Sequence, residues 1–287
     1  MRRYHYSEVF AVLAAAALAR ATGDAALRQR AVEIYDRFDH ALRTPGVTPP
    51  KVNPAVRPAK GLAPRMCHLL LADTLAQQTG APRYEAAIDD TAAELFRDFV
   101  RPEDACVLET VGPDGQRGDD PDGRTMNPGH AIEAAWFLLM IARRRGDADL
   151  TRRALPIIDW SIERGWDPDH GGLLYFVDVA GRPPTQLEHD MKLWWPHCEA
   201  LIATLLAHAM TGDARYARLY EQVHAWTHAH FPDPEYGEWY GYLHRDGSLS
   251  TPLKGGPWKG PFHVPRAQLL CWQIARAQAT APANPPP

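Results

Sequence analysis

Apolar and polar positions along the 287-residue chain repeat one pattern of paired helices. Each pair begins with an alanine- and leucine-rich segment that is apolar nearly all round, and an amphipathic segment follows. The first kind is predicted near 6–22, 64–79, 128–145 and 196–211, the second near 24–42, 82–100, 147–165 and 213–230, and an unpaired helix near 262–279. Gly80, Gly146 and Gly212 end three of the first kind at intervals of 66 residues, as expected of helix C-caps.

A fixed repeat of this length is typical of stacked supersecondary units. Helices that are apolar all round belong inside, and amphipathic helices belong on the surface. The pattern therefore predicts an all-α fold, an (α/α)6 toroid or barrel forming one domain over 1–280, followed by a disordered tail at 281–287. Nine helices cannot close a ring of six pairs, so we expect about nine of twelve helices and a missing N-terminal part.

Polar, glycine- and proline-rich loops connect the pairs. They cover 43–61, 101–127, 166–190 and 231–261. The last two contain aromatic and β-branched runs, Gly171–Val179 and Trp239–His244, each ending at a turn signal. These runs predict short β-hairpins in the loops between helix pairs.

Charge and composition narrow the classes of partner. The net charge is −4 and the sequence shows no basic stripe, so nucleic acid is not expected to bind. No segment has the roughly 18 consecutive apolar residues that would predict a membrane span. Four scattered cysteines without a C-x-x-C pair favour free thiols in the cytoplasm.

Three histidines recur at the repeat period, each near the predicted start of an inner helix. His130, His197 and His263 are 67 and 66 residues apart. Equivalent positions in a toroid face one axis, so we expect the three side chains to converge at one mouth of the barrel. Such a set suits acid–base work near neutral pH. A zinc site is the weaker interpretation, because no two of these residues are close neighbours in sequence.

Other polar and aromatic residues accompany the histidines. Glu133 follows His130 by three residues and shares its helical face. Glu199 follows His197 by two, a spacing that points the two side chains apart, so they are not expected to enter the site equally. Trp195 is a candidate platform for a sugar ring. Lys259 lies in a glycine-rich stretch that lacks the phosphate-loop pattern. We take Glu133, His197, Trp195 and Lys259 as substrate-binding candidates.

Four blocks of sequence carry a resemblance to a known family. They are NPGHAIEAAWFLL (127–139), MKLWWPHCEALIA (191–203), EWYGYLHRDG (238–247) and LKGGPWKGPFHVPR (253–266). From about 4 to 277 the chain resembles the N-acylglucosamine 2-epimerase (renin-binding protein) family.

This resemblance implies a six-pair α/α barrel that interconverts N-acetylglucosamine and N-acetylmannosamine. It also implies acid–base roles for His130 and His263 and a place in the site for Glu199. No metal or other cofactor takes part in the chemistry it implies, and ATP acts as an activator rather than a reactant. A small-molecule sugar and a possible homodimer partner complete the expectation.

One departure from the family concerns the N-terminal side. Members of the family carry a further N-terminal part that contributes an arginine to the site, and no residue here can be matched to it. We therefore expect a fragment or a truncated gene product.

Three alternative functions stay open at this point. An aldose–ketose isomerase or a disaccharide 2-epimerase would use the same proton abstraction beside a carbonyl. A non-catalytic binding protein would tolerate an incomplete barrel. A helical-barrel glycosidase would need an isolated carboxylate pair, whereas the repeat positions here hold histidines.

Overall fold

A computed structural model describes residues 6–49 and 53–280, and this part of the chain is predominantly α-helical. Its helices are α1 (Tyr6–Thr22), α2 (Ala25–Arg43), α3 (Leu62–Thr79), α4 (Pro82–Glu94), α5 (Pro128–Arg145), α6 (Ala148–Gly165), α7 (Trp194–Thr211), α8 (Ala214–His230) and α9 (His263–Thr280). The nine predicted helices are present in the described ranges. One π-helical turn at Leu95–Phe99 extends α4 to the predicted end. None of the described helices is long and apolar enough to cross a membrane.

Short strands precede or connect the helices. They are β1 (Lys60–Gly61), β2 (Val100–Arg101), β3 (Cys106–Val107), β4 (Thr110–Val111), β5 (Thr125–Met126), β6 (Val177–Asp178), β7 (Lys192–Leu193) and β8 (Tyr242–Leu243). Single 3-10 turns occur at Pro102–Asp104 and Asp122–Arg124.

The chain forms two compact units. The N-terminal unit comprises Met1–Val100 and Leu108–Gly123, and the C-terminal unit comprises Arg101–Val107 and Arg124–Pro287. The single domain proposed over 1–280 stays a prediction. The tail at 281–287 lies outside the described residues.

A buried histidine joins three helices of the N-terminal unit. His68 on α3 is fully buried, and its Nε2 lies 2.9 Å from the hydroxyl of Tyr35 on α2. On the other side of the ring, Nδ1 lies 2.8 Å from the hydroxyl of Thr91 on α4. A buried polar ring with partners at both nitrogens avoids the cost of unsatisfied groups.

Burial in the C-terminal unit separates inner from outer helices, as the pattern predicted. Helix α7 buries 14 of its 18 residues, whereas its partner α8 buries three of 17. Helix α5 packs on α6 and on α7, and α7 also packs on α9. The inner helices therefore carry the core, and their N-termini carry the candidate chemistry.

The predicted hairpins form strands, but their main pairing is wrong. Strand β6 lies inside the first predicted run and pairs with β5, with Met126 opposite Val177. Strand β8 lies inside the second and pairs with β7, with Leu193 opposite Tyr242. Strands β5 and β7 directly precede α5 and α7, so each ladder fixes the start of an inner helix. Sequence reasoning saw the turns but not these distant partners.

A buried ion pair holds the start of α7 against the loop after α6. Lys192 and Asp167 have no exposed side-chain surface, and their charged groups are 2.9 Å apart. Arg245 donates two further hydrogen bonds to Asp167, at 2.8 and 3.0 Å. Burial alone would raise the pKa of Asp167, but the bonds from Arg245 and Lys192 lower it well below its usual range.

Candidate functional site

The start of α5 places three candidate residues on one helical face. Asn127 caps the helix, because its side-chain oxygen accepts the backbone N–H of His130 at 3.1 Å. Glu133 and Trp136 follow His130 at three-residue steps, and both are buried. The cap fixes the first turn, and the spacing directs these side chains toward α7 and α9.

Helices α7 and α9 complete a group that we call the acid–base cluster: Glu133, Trp136, Glu199, His263 and Arg266. His263 Nδ1 lies 2.7 Å from Glu199 Oε1. The Arg266 Nη2 donates to Glu199 Oε1 at 2.6 Å and to Glu133 Oε1 at 2.7 Å. The indole N–H of Trp136 donates to the other oxygen of Glu199 at 2.8 Å. Both oxygens of Glu199 are therefore hydrogen-bonded.

Arg266 sets the charge state of the two carboxylates. Burial would raise the pKa of Glu199, but the charge of Arg266 and the hydrogen bond from His263 outweigh it and lower that pKa to about 2. Burial, together with the neighbouring charge of Glu199, raises the pKa of Glu133. The two carboxylates differ, and Glu199 is the ionised one at neutral pH.

An ionised Glu199 determines the tautomer of neutral His263. A carboxylate only accepts hydrogen bonds, so the bond between His263 Nδ1 and Glu199 requires a proton on Nδ1. The Nε2 of the neutral ring then carries the lone pair. A carboxylate behind the ring also compensates the positive charge that His263 gains on accepting a proton, as in other oriented histidine bases.

Trp195 links the two histidines that were proposed as acid–base residues. Its ring centre lies 4.9 Å from that of His130 and 5.9 Å from that of His263. The indole fits there because Gly129 has no side chain. A Cβ at Gly129 would lie 2.6 Å from Trp195 Cη2 and 2.9 Å from Pro196 Cβ, closer than real carbon contacts.

His197 does not join the other two histidines, which corrects its assignment as a substrate-binding residue. Its side chain is fully buried. Nδ1 lies 2.7 Å from the carbonyl of Leu193, and Nε2 accepts the backbone N–H of Leu173 at 2.9 Å. Both ring nitrogens are occupied, so the imidazole has no group left for a substrate. His197 instead ties the start of α7 to the neighbouring loop.

The burial of His197 predicts a component of acid instability. Burial lowers its pKa to about 3, against about 6.5 for an unfolded histidine. Stability from neutral His197 is therefore present above pH 6.5 and is lost as pH falls toward 3. Below pH 6.5 we expect this residue to add a slope of up to about 1.4 kcal/mol per pH unit to the free energy of unfolding. Urea titrations at several pH values measure the slope.

The matched comparison is His197→Asn against His40→Asn, because His40 is an exposed histidine on α2. The first variant should be less stable at pH 7.5 and should show a shallower pH slope. The second should behave as the unmodified chain. An unchanged slope in His197→Asn would show that this ring does not resist protonation.

Lys259 is also held in a structural role, contrary to its assignment as a substrate-binding residue. The residue is 2 % exposed. Its Nζ donates to both carboxylate oxygens of Glu238, at 2.8 and 2.7 Å, and to the carbonyl of Lys254 at 2.8 Å. Three acceptors use all three donors of an ammonium group. Lys259 therefore fastens the glycine-rich loop ahead of α9.

Arg266 is the member of the cluster that sequence reasoning missed. It follows His263 by three residues, the same spacing that identified Glu133 from His130. Applying the rule to α9 would have placed Arg266 beside His263 on one face. It supplies a fixed positive charge from within the described chain.

Comparisons with known proteins agree on one family. The family described as N-acylglucosamine 2-epimerase (GlcNAc 2-epimerase) matches residues 1–266. N-acylglucosamine 2-epimerase of Bos taurus is 40% identical over 298 residues, covering 100% of this chain and 70% of the relative. The Homo sapiens protein of the same name is 40% identical over 290 residues, covering 99% and 67%. The chain thus spans about two thirds of the length of these relatives.

Solved structures show the fold. The cellobiose 2-epimerase of Bacillus thermoamylovorans superposes with a TM-score of 0.78 at 18% identity, covering 94% of this chain and 71% of that one. The enzyme of Spirochaeta thermophila gives 0.78 at 24% identity, covering 94% and 70%. The predicted fold class, all-α and of the (α/α)6-barrel type, is confirmed.

Proposed function

Because this chain belongs to the N-acylglucosamine 2-epimerase family, we propose that it interconverts N-acetyl-D-glucosamine and N-acetyl-D-mannosamine. The observation that carries the proposal is His263, which has Nδ1 on ionised Glu199 and shares the indole of Trp195 with His130. Two histidines beside one aromatic face suit the inversion of a carbon bound to hydrogen.

The reaction follows from the chemistry of C2 in the open-chain sugar. One histidine removes the proton from C2, which is acidic because C1 is a carbonyl carbon. The electron pair moves into the C1–C2 bond and onto O1, giving an enolate. The other histidine, in its protonated form, returns a proton to C2 from the opposite face. Each proton transfer uses a base with an ordinary pKa near 6.5, which is efficient at neutral pH.

Other cluster residues support the histidines. Glu199 keeps His263 in one tautomer, and Trp136 keeps Glu199 in place through its indole N–H. Arg266 supplies positive charge, which favours the negative charge that develops on the substrate. Trp195 offers an aromatic surface to the C–H face of the sugar.

The proposed reaction needs no metal ion. Ligand atoms of Glu133, Glu199 and His263 lie within 4.8 Å of one another, a spacing that could hold a cation. However, Arg266 Nη2 already bridges the two carboxylates at 2.7 and 2.6 Å. The guanidinium therefore takes the position that a metal would need. We propose ATP only as an activator, and a reducing, cytoplasmic setting for the protein.

Solvent exchange at C2 tests the mechanism. We expect product formed in D2O to carry deuterium at C2, because the proton that is returned comes from the second histidine and equilibrates with solvent. NMR of early product, when little substrate has been converted, measures this incorporation. Protium retained at C2 would contradict the two-base mechanism.

The substrate assignment has its own control. N-acetylglucosamine, glucose, mannose and cellobiose are compared under the same conditions. An epimerase of the proposed kind converts the first and forms no ketose. Ketose formation or turnover of cellobiose alone would transfer the assignment to a related reaction.

A further inference from the structure

Two histidines lie side by side on the exposed face of α8, in the C-terminal unit. His224 and His228 are one helical turn apart, and both are exposed. Their ring centres are 3.9 Å apart with planes inclined by 24°. Neither residue belongs to the acid–base cluster. We propose that this pair binds a divalent transition-metal ion of the zinc or nickel type.

The hydrogen bond of His228 prepares it as a ligand. Its Nδ1 lies 3.0 Å from the backbone carbonyl of His224, so Nδ1 carries the proton and Nε2 keeps the lone pair. A ring N–H bonded to a backbone carbonyl is the usual support of a metal-ligating histidine, because it fixes the tautomer and the ring orientation.

Neighbouring side chains restrict where the two rings can turn. Tyr220 lies 5.5 Å from His224, and Trp239 meets His228 edge-on at 5.3 Å. Burial and the adjacent His228 ring also lower the pKa of His224, which favours the neutral form that a metal requires.

The chemistry of the pair selects the class of ion. Neutral imidazole suits Zn²⁺, Ni²⁺ and Cu²⁺, whereas Mg²⁺ and Ca²⁺ prefer oxygen ligands. Two histidines four residues apart on a helix present both nitrogens to one ion, and water completes the coordination. The site stands on the surface of α8 and is independent of the proposed epimerase reaction.

Calorimetric titration of the chelator-treated full chain with Zn²⁺ or Ni²⁺ alone tests the proposal. At pH 7.5 we expect saturable binding of one ion at this pair, and weaker binding as pH falls through about 6.5, where histidines protonate. His224→Ala and His228→Ala should each lower the affinity at least about tenfold, since loss of even a supporting group around a metal costs that much.

A matched control keeps the number of histidines constant. The double change His228→Ala with Ala229→His moves one ring off the shared face and should bind as weakly as the single variants. Thermal unfolding of each variant checks that α8 is intact. Equal affinity in the double variant, the absence of saturable binding, or a loss caused by His263→Asn instead would overturn the proposal.

Discussion

Replacing His263 by asparagine should lower kcat for N-acetylglucosamine epimerisation by about 10²–10⁴-fold, the usual contribution of a positioned acid or base. Asparagine keeps a hydrogen-bonding group near Glu199 but cannot carry a proton between substrate and solvent. His130→Asn should have an effect of similar size, because each direction of the reaction needs both histidines. Initial rates measured by NMR for both sugars give the result.

The control for these variants is His208→Asn. His208 lies in the last turn of α7, far along the helix from Glu199, and contacts the backbone of Asp213 at 3.1 Å. Its replacement should leave kcat unchanged. A near-normal rate in His263→Asn or in His130→Asn would remove that residue from its proposed role.

Replacing Arg266 by methionine should destabilise the protein by about 3–5 kcal/mol at pH 7.5, because it leaves buried carboxylates without their cation. Glu133 and Glu199 are both buried and both depend on the same Nη2. Activity should fall as well, since Glu199 would no longer be held ionised. Urea unfolding of the variant and the unmodified chain measures the loss of stability.

The pH dependence of this variant separates charge from packing. Without Arg266 the carboxylates take up protons more readily, so the loss of stability should shrink as pH falls from 7.5 to 5. Adding Glu133→Gln removes one buried charge and should recover part of the loss at pH 7.5. A loss that is the same at both pH values, and is unaffected by Glu133→Gln, would mean that Arg266 acts by packing alone.

The helices could be predicted from sequence because their signals are local. Glycine caps and apolar periodicity located all nine described helices, and the contrast between α7 and α8 was visible as composition. Strand pairing was not local: β5 precedes β6 by about 50 residues. Only the folded chain shows which loop returns to the start of which inner helix.

The site was predicted where residues share a helical face, and mispredicted where equal spacing stood in for equal position. His130 is the third residue of α5, His197 the fourth of α7 and His263 the first of α9. Helix α7 starts two residues early, at Trp194, whose backbone N–H donates to the carbonyl of Gly241. The side chain of His197 therefore points away, and Glu199, two residues on, takes the inward direction. The roles of the grouped residues stay predictions.

The close approach of Trp195 to Gly129 imposes an order on evolutionary change at this site. A residue with a side chain at 129 collides with the indole, so it becomes acceptable only after position 195 has been reduced. A smaller ring at 195, by contrast, is compatible with glycine at 129. Single-substitution libraries would score position 129 as immutable, whereas paired libraries would recover side chains there. Diversification of this sugar site thus has a first step and a second step, and the indole has to change first.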